Sequence, residues 1–325
     1  MPETRTPPRS LAVVAGVLRD AAGRVLLAQR PAAGSEAGKW EFAGGKIRVG
    51  ERAEAALARE LREELGIAID TPEPLTVVRW RGAPRPLNLH SYTIDRWQGE
   101  PIAHEHQALR WALPGELKHF AMPAPDGPIR ARLALPRQYL ITPEPVVPGD
   151  EFVERFARAI DHPAIGIVSV RAKSLVGDSL ADLAERCLTR ARAQRPELIV
   201  LIHAEIGLAT TLGFDGVHLS SRQLLGLRER PLPESAWVFA SCHSAPELVQ
   251  AEGLGADAAT LSPIRATPSH PLSPALGWRR LRALAARTWL PTYALGGVGA
   301  DDLAASCDAG AHGIAAIRSL WGADP

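Results

Sequence analysis

A chain of 325 residues with 46 % hydrophobic and 22 % charged content reads as an ordinary globular protein, long enough for two domains. A formal net charge of +1 argues against a nucleic-acid polymer or a membrane surface as partner. Cys187, Cys242 and Cys307 are odd in number and lack metal-ligand spacing, no run of about 18 apolar residues offers a membrane span, and the Pro-rich lead MPETRTPPRS lacks a signal-peptide core, so a cytoplasmic protein is expected.

Leu11–Leu18 is a continuous apolar run, a buried-strand candidate. A turn at residues 20–23 returns the chain as a second strand over 24–29. Arg30 and Pro31 open a loop rich in Gly and Ala, and Trp40, Glu41 and Phe42 form a short strand running into Gly44-Gly45. A helix is predicted from Glu51 to Leu65, closed by Gly66, because Ala53, Leu57, Leu61 and Leu65 recur every fourth residue. Strands follow at 75–81, 87–96 and 108–112, with a turn at Gln98–Pro101, and residues 128–135 read as a closing helix. The expected fold of this half is a mixed sheet sandwiched between helices.

The helix carries a second stripe. Glu60, Glu63 and Glu64 lie one turn apart on one face. Glu60 and Glu64 repel at i,i+4, which costs a few tenths of a kcal/mol in a bare helix. Such a cluster suits a hard cation that binds together with substrate phosphates. The plain alternative is a solvated face paired with Arg59 and Arg62.

Gly45, Glu51, Arg59, Glu60, Leu61, Glu63, Glu64, Gly66 and Ile67 fill every position of the Nudix box, so this half resembles a Nudix hydrolase. That resemblance implies hydrolysis of a nucleoside diphosphate linked to another group. Arg30, the Glu41-Phe42 pair, the WQGEP turn and the late PAPDGP segment resemble the MutT branch, which converts oxidised guanine nucleoside triphosphates to monophosphate and pyrophosphate. The implied substrate is 8-oxo-dGTP, a nucleoside triphosphate, and the implied cofactor is Mg²⁺, with Mn²⁺ as a substitute. Gly45, Glu60, Glu63, Glu64 and Glu105 correspond to the metal-binding set, and Glu105 or a box glutamate to the general base. Arg59 and Glu51 match the pair that orients helix and loop. Arg30 matches a substrate-contacting arginine, Phe42 lies beside the base pocket, and Asp126 stands where relatives read the base edge with asparagine. An ionised aspartate only accepts hydrogen bonds, so Asp126 could address a purine O6 only when protonated; otherwise it is a surface aspartate in a Pro-rich loop. Ala43 replaces the usual proline. His104 and His106 flank Glu105 and read as rim residues, while Trp80, Trp97 and Trp111 read as core or pocket wall.

Pro density rises over PRQYLITPEPVVPGD, which sets the expected domains at 1–136 and 137–325. Beyond it, apolar strands at 138–142, 165–170, 198–202, 216–219, 238–241, 258–261, 292–295 and 313–316 alternate with helical segments, including 151–160 and 179–192. Eight strands in that rhythm predict a TIM (β/α)8 barrel, its last helix stunted before Pro325. The fold class is therefore α/β throughout.

YLIT, VRAK, DGVHLS, SCHS, LSPI and ALGGV fall in the order seen in the thiamine phosphate synthase and TenI group, which this half resembles along its whole length. Gly296 and Gly297 after the seventh strand are expected to cradle a phosphorylated ligand. The departures fall on the chemistry. His203 and Ala204 stand where the synthases carry Asn-Asp, Gln223 where they carry a second acid, and Pro263 where TenI tautomerases carry histidine. Arg171, Lys173, His218, His243 and His270 remain as candidate polar groups of the barrel mouth. The competing reading is a Nudix enzyme for another nucleoside or thiamine-pathway diphosphate, with the barrel a non-catalytic phosphate-binding or scaffold module.

Overall fold

A computed structural model describes residues 10–34, 36–82, 86–145, 149–267 and 274–322. Most of the polar lead, residues 83–85, part of the Pro-rich join at 146–148, and His270 lie outside the described residues. The chain divides between Ala134 and Leu135 into two units.

The first unit holds β1 (Leu11–Leu18), β2 (Val25–Gln29), β3 (Trp40–Glu41), α1 (Ala53–Leu65), β4 (Ala68–Ile69), β5 (Glu73–Trp80), β6 (Leu87–Ile94), β7 (Trp97–Gln98), β8 (Ala108–Ala112) and α2 (Gly127–Ala134). The expected single mixed sheet is instead divided. A mixed sheet runs β1-β6-β5, an antiparallel one β3-β2-β8, and β4 and β7 make a two-stranded ribbon. The ribbon eluded the sequence reading because two residues cannot display a strand period.

One edge of β1 positions everything that follows. Its outer side pairs with the Gly-Gly loop rather than with a strand. The Val14 N–H donates to Gly45 O at 2.8 Å, Gly16 N–H to Ala43 O at 2.8 Å, and Ile47 N–H to Ala12 O at 3.0 Å. Loop 43–47 is thereby held as a rigid rail.

Helix α1 then returns across the sheet. Ala56, Leu57, Leu61 and Leu65 are fully buried against Val14, Leu18 and Ile94. Gly66 closes the helix at φ 69°, its N–H reaching Arg62 O, a left-handed cap that suits glycine. The helix starts at Ala53 rather than at Glu51, because the Glu51 carboxylate accepts the Arg48 N–H at 2.8 Å and holds the preceding turn together.

The second unit runs β9 (Gln138–Ile141), α3 (Asp150–Ile160), β10 (Ile165–Val170), α4 (Asp178–Gln194), β11 (Ile199–His203), α5 (Ile206–Thr211), β12 (Gly216–Leu219), α6 (Ser221–Gly226), β13 (Trp237–Cys242), α7 (Ala245–Leu254), β14 (Ala258–Leu261), α8 (Gly277–Ala285), β15 (Thr292–Leu295), α9 (Leu303–Asp308), β16 (Gly313–Ala316) and α10 (Arg318–Trp321). The eight strands are parallel and close into a barrel, β9 pairing with both β10 and β16. The eight predicted strands are all present, within a residue at each end. The interior is filled by Tyr139, Phe239 and Tyr293, whose rings stand 5.6 to 6.1 Å apart. Helix α10 has only 4 residues, as expected.

Leu61→Ala removes a side chain with no exposed surface from the α1 contact. It should lower stability by about 2–5 kcal/mol, read as a shift in the urea midpoint at constant slope.

Candidate functional site

Arg59 is the hub of the first unit's site. Its Nε and Nη2 grip both oxygens of Glu51 at 2.9 and 3.0 Å, a bidentate pair between helix and loop. Nη2 also reaches Lys46 O at 3.1 Å, and Nη1 bonds Glu60 at 2.7 Å and Glu63 at 3.2 Å. The guanidinium hydrogen bonds hold the Glu51 carboxyl down at about 2. One cation therefore gathers three carboxylates and ties them to the loop backbone.

The glutamates are not equivalent. Glu60 lies directly on Gly45: a β-carbon there would stand 2.4 Å from its carboxylate, so a side chain at this position would push Glu60 aside. Glu64 accepts the Gly44 N–H at 3.0 Å. Burial lifts the Glu64 carboxyl to about 7, with Glu41 and Glu60 adding to the rise and His106 and the Gly44 N–H opposing it. Glu63 points to Arg59 and Arg48 with 46 % of its side chain exposed. Glu105 is exposed at the rim, electrostatically coupled to His106. The Gly45 carbonyl accepts from Val14 and keeps one lone pair for a further partner.

Among the described residues, no three His, Cys, Asp or Glu side chains form a metal cage. Mg²⁺ binds through one or two carboxylates and completes its shell with water and substrate phosphates. Glu60 and Glu64, held on the Gly44-Gly45 backbone, fit that requirement.

A second network adjoins the first. Arg30 pairs with Glu41 across the β2-β3 hairpin, and His106 Nε2 stands 3.4 Å from Glu41. Asp126, on a 3-10 turn at Ala124–Asp126, is buried rather than on the surface. Burial first, then Glu41, raises its carboxyl well above the usual range, against the opposing pull of Arg30 and Arg130. Phe42 is 3 % exposed and packed in the interior. Trp97 and Trp111 stack at 6.0 Å and back the core, as expected. The inward role of His106 was missed, as was the central place of Glu41. Only the alternation of His104, Glu105 and His106 hinted that one histidine faces in.

At the C-terminal end of the barrel strands lies a cavity of about 670 Å³. Its wall includes Arg171, Lys173, His203, His218, His243 and the Gly296–Gly299 turn. Gly296 and Gly297 have φ of 97° and 70°, and the Gly297 and Val298 N–H groups donate to no group among the described residues. His203 and His218 face each other in register on β11 and β12, ring centroids 5.1 Å apart. His218 is bonded on both sides, to Tyr139 Oη at 2.6 Å and Ser241 Oγ at 3.0 Å. His243 Nδ1 is held by Ser262 O at 2.8 Å. His203 has no partner at either ring nitrogen among the described residues. Burial pushes it down to about 4, with help from Lys173 and Arg171. Gln223 is spent: its Nε2 donates to Ala204 O at 2.7 Å and its Oε1 accepts from Ser220.

The NUDIX domain family matches residues 9–133, and the thiamine monophosphate synthase family, TMP-TENI, matches residues 138–320. The chain belongs to both families. It carries a Nudix hydrolase domain followed by a thiamine monophosphate synthase-like barrel. Its first unit is similar to the CTP pyrophosphohydrolase of Escherichia coli, 42 % identical over 37 % of this chain and 89 % of that protein. The 8-oxo-dGTP diphosphatase of the same organism is 32 % identical over 38 % of this chain and 97 % of its own length. The thiamine-phosphate synthase of Methanoculleus marisnigri is 30 % identical over 57 % of this chain and 87 % of its own.

Two outcomes test this geometry. Gly45→Ala should displace Glu60 and leave the protein folded, read as loss of Mn²⁺-induced relaxation near the box. His203 should stay neutral to about pH 4 in a ring C–H titration by NMR. Since its unfolded counterpart protonates near 6.5, barrel stability should fall as pH drops through that window.

Proposed function

We propose that residues 1–136 form a Mg²⁺-dependent nucleoside triphosphate pyrophosphohydrolase, with 8-oxo-dGTP as its substrate, and that residues 137–325 form a separate barrel domain that takes a phosphorylated ligand at Gly296 and Gly297. The observation that carries the first part is the convergence of Glu60 and Glu64 on the Gly44-Gly45 backbone, with the Arg30–Glu41–His106 network and buried Asp126 in the same unit.

Glu60, Glu64 and the Gly45 carbonyl would hold Mg²⁺, with Glu63 and Glu105 at the rim of the set. Bound there, the ion would neutralise the triphosphate and acidify an attacking water. Arg59 keeps the carboxylates together before substrate arrives, so little reorganisation is left for the reaction. The proton lost by the water would go to Glu105 or to a box glutamate not spent on the ion. The Arg30–Glu41 pair and His106 orient the nucleoside side of the site.

Asp126 supplies base recognition as a neutral acid. A protonated carboxyl donates and accepts side by side, as the amide of an asparagine does. Its C=O accepts N7–H of 8-oxoguanine while its O–H donates to O6. The same pair would serve the N4 amino group and N3 of cytosine. Similarity to the CTP pyrophosphohydrolase favours this cytidine triphosphate reading as the second hypothesis.

A panel of 8-oxo-dGTP, dGTP and CTP, scored by pyrophosphate release, separates the readings. Equal rates on 8-oxo-dGTP and dGTP would overturn the first, and a CTP preference would establish the second. Glu64→Gln, or a chelator, is expected to abolish turnover without unfolding; turnover retained in both would overturn the metal role. Asp126→Asn should keep kcat/KM within about threefold, whereas Asp126→Ala should lower it about 10- to 100-fold.

A further inference from the structure

The outer layer of the barrel is thin at one flank. Helix α3 has 11 residues and α10 has 4, so α10 covers one turn of a neighbour that runs for about three. Trp321 of α10 packs on Phe152 in the first turn of α3, ring centroids 5.1 Å apart. Past that contact, the side of α3 from Arg155 to His162 borders a groove of about 560 Å³. Arg155, Arg158, Ala159 and His162 follow one another at helical offsets of three, four and seven, which puts them in one line along the helix and the turn after it.

The groove has two chemical sides. Ala159, Ile165, Leu320 and Trp321 give it an apolar floor, and Arg155, Arg158 and His162 give it a cationic rim. Among the described residues, no aspartate or glutamate lines it. Acids of the same stretch are turned to other partners. Asp150 pairs with Arg186, Glu154 stands 3.8 Å from Arg190, and Asp161 accepts from Gln194 Nε2 at 3.1 Å. Arg158 has no hydrogen bond or ion pair among the described residues. His162 Nδ1 accepts the Ala164 N–H at 3.2 Å, so Nε2 carries the proton and can donate. An arginine fork takes a carboxylate through two parallel N–H···O bonds. A molecule with one carboxylate and an apolar body would answer both sides at once. A neutral apolar molecule would leave the guanidinium unanswered, a small anion would leave the floor uncovered, and a cation would be repelled.

We propose that this outer flank of the barrel is a binding site for an amphipathic carboxylate, whose head pairs with Arg158 and whose apolar body lies on Ala159, Leu320 and Trp321. The groove, at about 560 Å³, falls within the size range of small-molecule pockets. The site uses none of the groups assigned to the Nudix chemistry or to the Gly296–Gly297 turn.

The test uses the full chain with octanoate as probe, octan-1-ol as the same body without charge, and acetate as the same head without a body. Binding is followed by NMR at the Trp321 indole N–H, assigned by its loss in Trp321→Phe. Octanoate should shift that resonance to saturation, octan-1-ol should bind about tenfold more weakly, and acetate should leave it in place at the same concentration. Arg158→Gln should weaken octanoate about tenfold and leave octan-1-ol unchanged, and Arg158→Lys should restore part of the loss. Ala159→Phe, checked for folding by circular dichroism, should fill the floor and weaken both. Equal affinity for octanoate and octan-1-ol would overturn the carboxylate as the recognised group. An unmoved Trp321 resonance, or unaltered octanoate affinity in a folded Arg158→Gln protein, would overturn the site. A dimer in sedimentation that Arg158→Glu dissociates, with no octanoate binding, would overturn the inference in favour of a second copy of the chain on this flank.

Discussion

The first unit depends on one guanidinium. Glu60, Glu63 and Glu64 share a helix face where their charges repel, and Glu51 adds a fourth carboxylate from the loop. Arg59 answers three of these at once and also bonds the Lys46 carbonyl. Lysine could not reproduce this, because a point charge lacks the planar fork that holds Glu51 by two bonds while reaching Glu60 with a third nitrogen. Without that hub, Glu60 would be free to rotate off Gly45, and the loop would lose its link to the helix. The pairing of loop 43–47 with β1 supplies the other constraint. Arg59 joins two elements that the backbone has already brought together.

Much of this was legible in the sequence, for a physical reason. A helix whose apolar stripe and acidic stripe are both periodic reveals which residues share a face. A glycine pair at its entrance signals close approach. Gly45 bears this out, since its hydrogen occupies the space that a side chain would take from Glu60. The barrel was legible too, because eight apolar runs separated by helical segments leave few alternative topologies. What could not be read were the features created by burial alone. Asp126 sits in a Pro-rich segment that resembles a surface turn, yet the fold encloses it and so raises its carboxyl above the usual range. His106 differs from His104 only by its position in an alternation, and only the folded chain shows it turned to Glu41. Glu51 looked like the first residue of the helix, while its side chain in fact terminates the loop.

The Asp126 case carries a general point about substitution. Aspartate for asparagine is ordinarily a loss of donor capacity and a gain of charge. At this buried position near Glu41 the carboxyl is pushed well above its usual range, which favours the protonated form that can donate. A protonated carboxyl offers a donor and an acceptor side by side, as an asparagine amide does.

The two units surround their candidate sites with opposite local charge. The Nudix unit concentrates carboxylates, so a phosphate group is repelled until a cation intervenes, and the burial of Glu64 sharpens that requirement. The barrel mouth concentrates cations and open N–H groups, and its one carboxylate is paired. The near-zero net charge of the whole chain conceals this contrast, because acidic and basic sites cancel in the sum. Local charge around each site, rather than composition, carries this contrast. In the barrel it is written at Gln223 and Ala204, where a neutral amide–carbonyl bond occupies the corner between two strands and leaves His203 as the open polar group.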